Sequence, residues 1–144
     1  MKNIQPIKLF LVDDDAVYVK LLAIEFTAYS NITVETYATG DECLAHLSNN
    51  PDIIILDYYL DGVIPGAMNG IDTLDKIKAI NPDIPVVMLS SQDKIDVAID
   101  CMHHLAFDYV VKSETAFLRL QKTITTIFKI KKIEKELNWY MARM

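Results

Sequence analysis

The stretch Pro51-Asp52-Ile53-Ile54-Ile55-Leu56-Asp57 decides the fold. Its four consecutive apolar residues follow a Pro-Asp turn signal, and three of them are β-branched, which is typical of a strand buried on both faces. A carboxylate, Asp57, then ends the run. A core strand with a charged group at its tip indicates a sheet edge that opens to solvent or to a ligand.

Four further apolar runs of strand length share this character and are separated by segments of helical length. They are Ile7–Val12, Ile32–Tyr37, Pro85–Leu89 and Phe107–Val111, and the central one is Ile53–Leu56. Helical 3.6-residue spacing appears between them, for example at Val17, Leu21 and Ile24 and again at Leu74, Ile77 and Ile80. Strands that alternate with helices predict an α/β fold with a parallel sheet covered by helices on both faces.

Cap residues predict where the later helices begin. The candidates are Thr39 or Asp41 for the second helix, Asn69 for the third, Ser91 or Asp93 for the fourth, and Ser113 with Glu114 for the fifth.

Charge is unevenly distributed along the 144 residues, a length typical of one domain. Residues 119–144 carry a net charge of plus 5, which leaves minus 11 for the remainder. Because an acidic body repels phosphate, we expect no direct binding of nucleic acid by that part.

Cys43 and Cys101 have neither metal-ligand nor CxxC spacing, and we expect two reduced thiols in the core of a cytoplasmic protein. The sequence predicts neither a signal peptide nor a membrane span, because no apolar run approaches about 18 residues.

Polar side chains follow four of the predicted strands. The first strand ends in Asp13-Asp14-Asp15, the third in Asp57, the fourth in Ser90-Ser91 and the fifth in Lys112. Because the carboxyl ends of parallel strands meet at one edge of a sheet, we expect these groups to converge there.

A cluster of carboxylates needs a cation to offset its repulsion, and oxygen ligands favour Mg²⁺. Asp57 is then either a metal ligand only or a nucleophile that accepts a phosphoryl group, with Ser90 and Lys112 as donors to the phosphoryl oxygens. Taken alone, Asp13 to Asp15 could instead simply cap the first helix.

These residues resemble the receiver domains of two-component response regulators, which share the CheY-like, flavodoxin-like fold. The resemblance spans about Ile7 to Phe128 and is carried by four motifs in order. They are Leu11-Val12-Asp13-Asp14-Asp15, Pro51 to Asp57, Met88-Leu89-Ser90-Ser91, and Asp108-Tyr109-Val110-Val111-Lys112.

The resemblance implies a three-layer (βα)5 fold with a doubly wound parallel sheet in strand order 2-1-3-4-5. It implies that Asp57 is the phosphoacceptor, phosphorylated by a sensor histidine kinase or a histidine phosphotransfer protein. Asp13, Asp14, Asp57 and the backbone carbonyl of Tyr59 would bind Mg²⁺, for which Mn²⁺ could substitute. Ser90 and Tyr109 would be switch residues, and the protein would be a signalling switch that catalyses only its own phosphorylation and dephosphorylation.

The chain departs from the family pattern in two places. Ser113 follows Lys112 where the family usually has a proline with a cis bond, and a cis bond before a residue other than proline costs about 2.5–4 kcal/mol. The loop after Asp57 is about five residues longer than usual, in the segment 61–67, which is either a surface insertion or a feature that shapes access to the site.

A helical pattern continues past the receiver, which we predict to span residues 1–128. Phe117, Leu120, Ile124 and Ile127 form a stripe suited to docking on the sheet, and Ile130, Ile133, Leu137, Tyr140 and Met144 form a second one with heptad spacing. The predicted extension, residues 129–144, is a dimerisation helix of a homodimer, a connector to an output domain, or a solvated helix end. The output then depends on a bound partner or on a segment outside this sequence.

Two other classes also use parts of this pattern. A haloacid dehalogenase-like phosphohydrolase forms an aspartyl phosphate, but its nucleophile lies in an Asp-x-Asp motif after the first strand. A flavodoxin-like flavin carrier needs a phosphate-binding loop there, where Asp13 to Asp15 would repel phosphate.

Overall fold

A computed structural model of the protein describes residues 6–29 and 31–144. Its elements in chain order are β1 (Ile7–Val12), α1 (Ala16–Thr27), β2 (Ile32–Tyr37), α2 (Gly40–Ala45), a 3₁₀ turn (Leu47–Asn49), β3 (Ile53–Asp57), α3 (Gly70–Ile80), β4 (Val86–Ser90), α4 (Ile95–His103), β5 (Asp108–Val111) and α5 (Ala116–Arg143). Within these residues, none of the helices combines the length and the apolarity that a membrane crossing requires.

The five strands form one parallel sheet in the order β2-β1-β3-β4-β5. The predicted fold class and strand order are therefore confirmed. Two strands reach one residue further towards the rim than predicted, because β3 includes Asp57 and β4 ends at Ser90. Asp57 pairs with Leu89 and Ser90 with Val111, so the ladder holds both polar residues in place.

Each face of the sheet buries its own apolar core. Alternation along β3 sends Ile54 and Leu56 into one core with Leu74 and Ile77 of α3, and Ile53 and Ile55 into the other. That second core contains Leu22 and Phe26 of α1 and Leu120, Ile124 and Ile127 of α5. Cys43 and Cys101 are free and buried in the first core, as expected for reduced thiols.

The apolar stripe predicted along α1 faces solvent. Val17, Leu21 and Ile24 are 71%, 59% and 59% exposed, whereas Leu22 and Phe26 face the sheet. The helix is apolar around most of its circumference, so residue spacing alone could not determine which face is buried. In α3 the prediction holds for Leu74 and Ile77, but Ile80 is exposed.

Two of the four predicted helix caps are correct. The Thr39 hydroxyl accepts from Glu42 N–H at 3.1 Å, and the Asn69 side chain accepts from Asp72 N–H at 2.8 Å. The prediction of Ser91 or Asp93 for α4 is wrong, because Lys94 occupies the cap without a side-chain bond. The prediction of Ser113 with Glu114 for α5 is also wrong, because Thr115 is the cap residue. Ser113 instead accepts from Thr115 N–H, in a turn that precedes the helix.

The fifth helix runs unbroken for 28 residues. Leu120, Ile124 and Ile127 of its first predicted stripe are buried, and Phe117 packs against the same core. Ile130, Ile133, Leu137, Tyr140 and Met144 of the second stripe are exposed. The division into 1–128 and 129–144 stays a prediction, and residues 1–5 and 30 lie outside the described residues.

Gly70 fixes the start of α3 directly against the end of β3. Its N–H donates to the Tyr58 carbonyl at 3.1 Å. A Cβ at this position would collide with the Asp57 carbonyl oxygen and would lie 2.7 Å from Tyr58 Cα. Only a residue without a side chain allows this approach of helix to strand.

Replacing Gly70 by alanine should therefore lower the free energy of unfolding by roughly 2 kcal/mol or more, because the backbone around Asp57 must shift. Urea titration measures the change. Gly62→Ala is the control, because its Cβ would meet its nearest neighbour at 3.7 Å and needs no displacement. Equal stability of the Gly70→Ala protein and the wild type would contradict this account of the contact.

Candidate functional site

Three carboxylates meet at the carboxyl edge of the sheet. Asp13 and Asp14 follow β1, and Asp57 is the last residue of β3. One oxygen from each carboxylate lies within 4.8 Å of the other two. Asp13 and Asp57 are only 2% and 3% exposed, so their negative charges are held close together and away from water.

Backbone hydrogen bonds orient this cluster. Asp13 Oδ1 accepts from Asp15 N–H at 2.9 Å, and Asp57 Oδ1 accepts from Tyr59 N–H at 3.3 Å. Asp15 itself caps α1 by accepting from Tyr18 N–H at 3.1 Å. The capping role considered for all three aspartates therefore belongs to Asp15.

Lys112 supplies an ammonium group to the cluster from the end of β5. Its Nζ lies 2.7 Å from Asp13 Oδ2 and 3.6 Å from Asp57 Oδ1. The same Nζ lies 4.7 Å from the centre of the Tyr18 ring, a cation–π contact that sequence reasoning missed. The described residues contain no cis peptide bond, so the Lys112–Ser113 bond is trans.

The charges shift the pKa of Asp57 and of Lys112. Burial, together with the charge of Asp13, raises the pKa of Asp57 to about 7, although Lys112 opposes this. Burial lowers the pKa of Lys112, but its pairing with Asp13 and Asp57 outweighs burial and the net shift is upward. A single ammonium group therefore does not compensate three carboxylates, and the cluster retains an excess of negative charge.

The cluster fits a hard divalent cation. Asp14 Oδ2 is buried without a hydrogen-bond partner among the described residues, and Asp13 Oδ2 has only the ion pair with Lys112. A buried carboxylate oxygen without a partner is costly, and a cation bound there would remove that cost. All the side-chain ligands are oxygens, which Mg²⁺ prefers.

The extended loop after β3 lies beside these oxygens. A Cβ built on Gly62 would lie 3.7 Å from Asp14 Oδ2 and 3.8 Å from the Tyr59 carbonyl oxygen. The Tyr59 carbonyl and Asp14 therefore both border the same glycine of segment 61–67. Exposed Val63 and Ile64 follow this glycine, so the insertion adds apolar surface near the site.

Ser90 and Tyr109 are connected through the backbone of Gln92. The fully buried Ser90 hydroxyl accepts from Gln92 N–H at 3.0 Å, and the Tyr109 hydroxyl donates to the Gln92 carbonyl. Burial raises the pKa of Tyr109, which keeps its hydroxyl protonated as a donor. Sequence reasoning missed Gln92, because it takes part through backbone atoms that any residue would supply.

A family model described as "Response regulator receiver domain" matches residues 9–125. The chain belongs to the response regulator receiver domain family. As a receiver domain it is a member of a signalling family, and the haloacid dehalogenase-like alternative is not favoured.

Known relatives agree with this assignment. The protein-glutamate methylesterase/protein-glutamine glutaminase of Clostridium acetobutylicum is 32% identical over 117 residues, covering 78% of this chain and 32% of that protein. The probable transcriptional regulatory protein TcrX of Mycobacterium tuberculosis is 29% identical over 121 residues, covering 81% of this chain and 49% of that protein. The chain thus spans half or less of the length of these relatives.

The crystal structure of NtrX from Brucella abortus superposes with a TM-score of 0.79 at 26% identity. The match covers 95% of this chain and 30% of NtrX. Receivers of the two-component family are normally phosphorylated and normally bind Mg²⁺ at an acidic pocket, and in this chain Asp13, Asp14 and Asp57 form an acidic cluster.

Burial of Asp57 and the negative charge beside it make the stability of the metal-free protein depend on pH. The folded state raises the pKa of Asp57 from 3.8 to about 7, so ionised Asp57 destabilises the fold above pH 7 and this cost disappears as the pH falls towards 4. Asp57→Asn should therefore raise the free energy of unfolding at pH 8 by on the order of 2 kcal/mol and leave it nearly unchanged at pH 4.

Urea titration with EDTA at both pH values measures this difference, and added Mg²⁺ should reduce it. The control is Asp61→Asn, which changes an exposed carboxylate of the neighbouring loop. If Asp57→Asn and the wild type unfold alike at pH 8, Asp57 carries no electrostatic cost in the fold.

Proposed function

We propose that the domain accepts a phosphoryl group on Asp57 from a phosphohistidine of a sensor histidine kinase or a histidine phosphotransfer protein. The observation that carries this is the excess of buried carboxylate around Asp57, with an oxygen of Asp14 left without a partner. Such a site gains stability when a cation enters it, and a bound cation favours the ionised, nucleophilic form of Asp57.

The transfer step assigns a role to each side chain. An Asp57 carboxylate oxygen attacks the phosphorus, the bond from phosphorus to the imidazole nitrogen breaks, and that nitrogen keeps the electron pair. Lys112 and the Ser90 hydroxyl are donors for the phosphoryl oxygens in an in-line displacement. Mg²⁺ or Mn²⁺ held by Asp13, Asp14, Asp57 and the Tyr59 carbonyl would supply positive charge to offset the incoming phosphate.

The same residues account for a switch. An aspartyl phosphate adds negative charge and acceptor oxygens beside Ser90, whose hydroxyl now accepts from Gln92 N–H. When Ser90 turns towards the phosphate, this bond is lost and the Gln92 carbonyl that holds Tyr109 is free to move. The changed surface comprises α4, β5 and α5, where an output partner or a segment outside this sequence would bind.

We propose a cytoplasmic signalling switch that acts only on its own aspartate. Two buried free thiols suit a reducing compartment. The negative charge of the body does not favour direct contact with nucleic acid. We propose that the receiver comprises residues 1–128 and that residues 129–144 form the helical extension.

The exposed stripe of α1 is the surface we propose for the phosphodonor. It begins at Val17, in the first turn of α1 after the capping residue Asp15, and continues through Leu21 and Ile24. A helix of the donor that packs along this stripe would bring its histidine to the rim where Asp57 lies.

Acetyl phosphate or phosphoramidate with Mg²⁺ should add ~80 Da to the intact protein, the mass of one phosphoryl group. The adduct should be labile, should require the metal, and should be absent from Asp57→Ala. Asp61→Ala is the control and should keep it. The proposal fails if the wild type gains no labile adduct or if Asp57→Ala retains one.

Leu21→Lys should slow phosphotransfer from a protein donor about tenfold or more while leaving labelling by acetyl phosphate unchanged. The donors are autophosphorylated sensor kinases of the source organism, selected first for activity on the wild type. Leu118→Lys is a matched control, because both leucines are 59% exposed and Leu118 lies on α5. Equal slowing of phosphotransfer by the two variants would contradict the proposal that α1 is the donor surface.

A further inference from the structure

The last turns of α5 carry an apolar seam that the rest of the described chain leaves open. Ile130, Ile133, Leu137 and Tyr140 are 40%, 59%, 55% and 65% exposed. Their spacing places them at alternating a and d positions of a heptad, and Met144 follows at the next a position. We call these five residues the α5 seam.

The root of the α5 seam is fixed to the body of the domain. Lys131 Nζ donates to the Asp52 carbonyl at 3.2 Å and lies 5.7 Å from the centre of the Phe128 ring. Ile127, one turn before the seam, is only 2% exposed. The helix continues to Arg143, so the seam projects about 20 Å from this anchored root.

Apolar surface continues from the seam onto the end of α4. Ile130 lines a groove of about 790 Å³ together with Met102 and Leu105. Leu105 adopts a left-handed backbone conformation, φ +70°, in which glycine is ordinarily favoured, and its side chain is 67% exposed. A large apolar side chain at this strained and mostly exposed position adds to the open apolar surface.

We propose that a second copy of this chain covers the α5 seam, and that the two extensions pair as a short parallel coiled coil. Lys129 lies at a g position and Glu134 at the following e position. In a parallel pair, Lys129 of each chain faces Glu134 of the other, which gives two complementary contacts at the rim of the seam. Neither side chain forms an ion pair within residues 6–29 and 31–144, so both are available.

The charges disfavour the opposite orientation. An antiparallel pair with Ile133 facing Leu137 of the other chain brings e positions beside e positions and g beside g, which sets Glu134 near Glu134 and Glu136 near Glu136 of the other chain. Like charges at such flanking positions are destabilising, whereas the parallel pair has complementary ones.

The pairing is expected to be weak, because two helices of about four turns bury less than the ~1,200 Å² of a standard interface. Sedimentation equilibrium of the full 144-residue chain, at protein concentrations from about 5 to about 500 µM, covers the dissociation constants expected of such a weak pair. We expect reversible dimerisation across the series. A monomeric mass at every concentration would overturn the proposal.

A pair of variants tests the location of the contact. Leu137→Lys places a charge in the seam and should weaken dimerisation about tenfold or more. Trp139→Lys is the matched control, because Trp139 is 51% exposed on the same helix but lies outside the seam. Equal weakening by both variants, with unchanged circular dichroism, would show that the dimer uses another surface.

Cysteine cross-linking tests the orientation. In a parallel pair, identical a positions face each other, so Leu137→Cys should give a disulfide-linked dimer under mild oxidation. The native thiols are buried, and Trp139→Cys is the control that should not cross-link. If Leu137→Cys cross-links no better than Trp139→Cys, the parallel arrangement is excluded.

Discussion

The structure depends on an unbalanced charge at the carboxyl edge of its sheet. Three carboxylates from the ends of two strands meet one ammonium group, and two of those carboxylates are almost completely buried. Such a cluster is costly unless its charge is offset, and a cation bound among the three carboxylates would offset it. The apolar strands behind the edge supply the stability that allows such a cluster to persist.

Most of this edge could be predicted from the sequence because it follows from chain topology. Parallel strands deliver their last residues to the same edge, so Asp57, Ser90 and Lys112 are expected to converge from the strand order alone. What sequence could not supply was the environment of each group. The Tyr18 ring beside Lys112 and the backbone of Gln92 between Ser90 and Tyr109 depend on how loops and helices fold back, and no residue pattern specifies that.

The helices show where periodicity stops being informative. Spacing identified α1 but selected Val17, Leu21 and Ile24, which face solvent, because apolar residues also occupy the opposite side. In the first half of α5 the same reasoning succeeded, since most positions beside the buried stripe are polar. Residue spacing can assign an apolar stripe to the core only when the other faces of the helix are polar. The cap predicted at Ser113 was wrong for a different reason, because Ser113 accepts from Thr115 N–H in a turn before α5.

One short strand connects the two surfaces that the structure leaves available to partners. Tyr109 lies within β5, and Lys112, which follows this strand, reaches the carboxylate cluster. Asp108, its first residue, accepts a hydrogen bond of 2.8 Å from the Thr123 hydroxyl of α5, the helix whose far end carries the open seam. A change at the rim that displaces β5 acts on the base of α5 through this contact. Because coupling between two binding equilibria is reciprocal, a partner bound on the seam would in turn alter the affinity of the rim for its ligands.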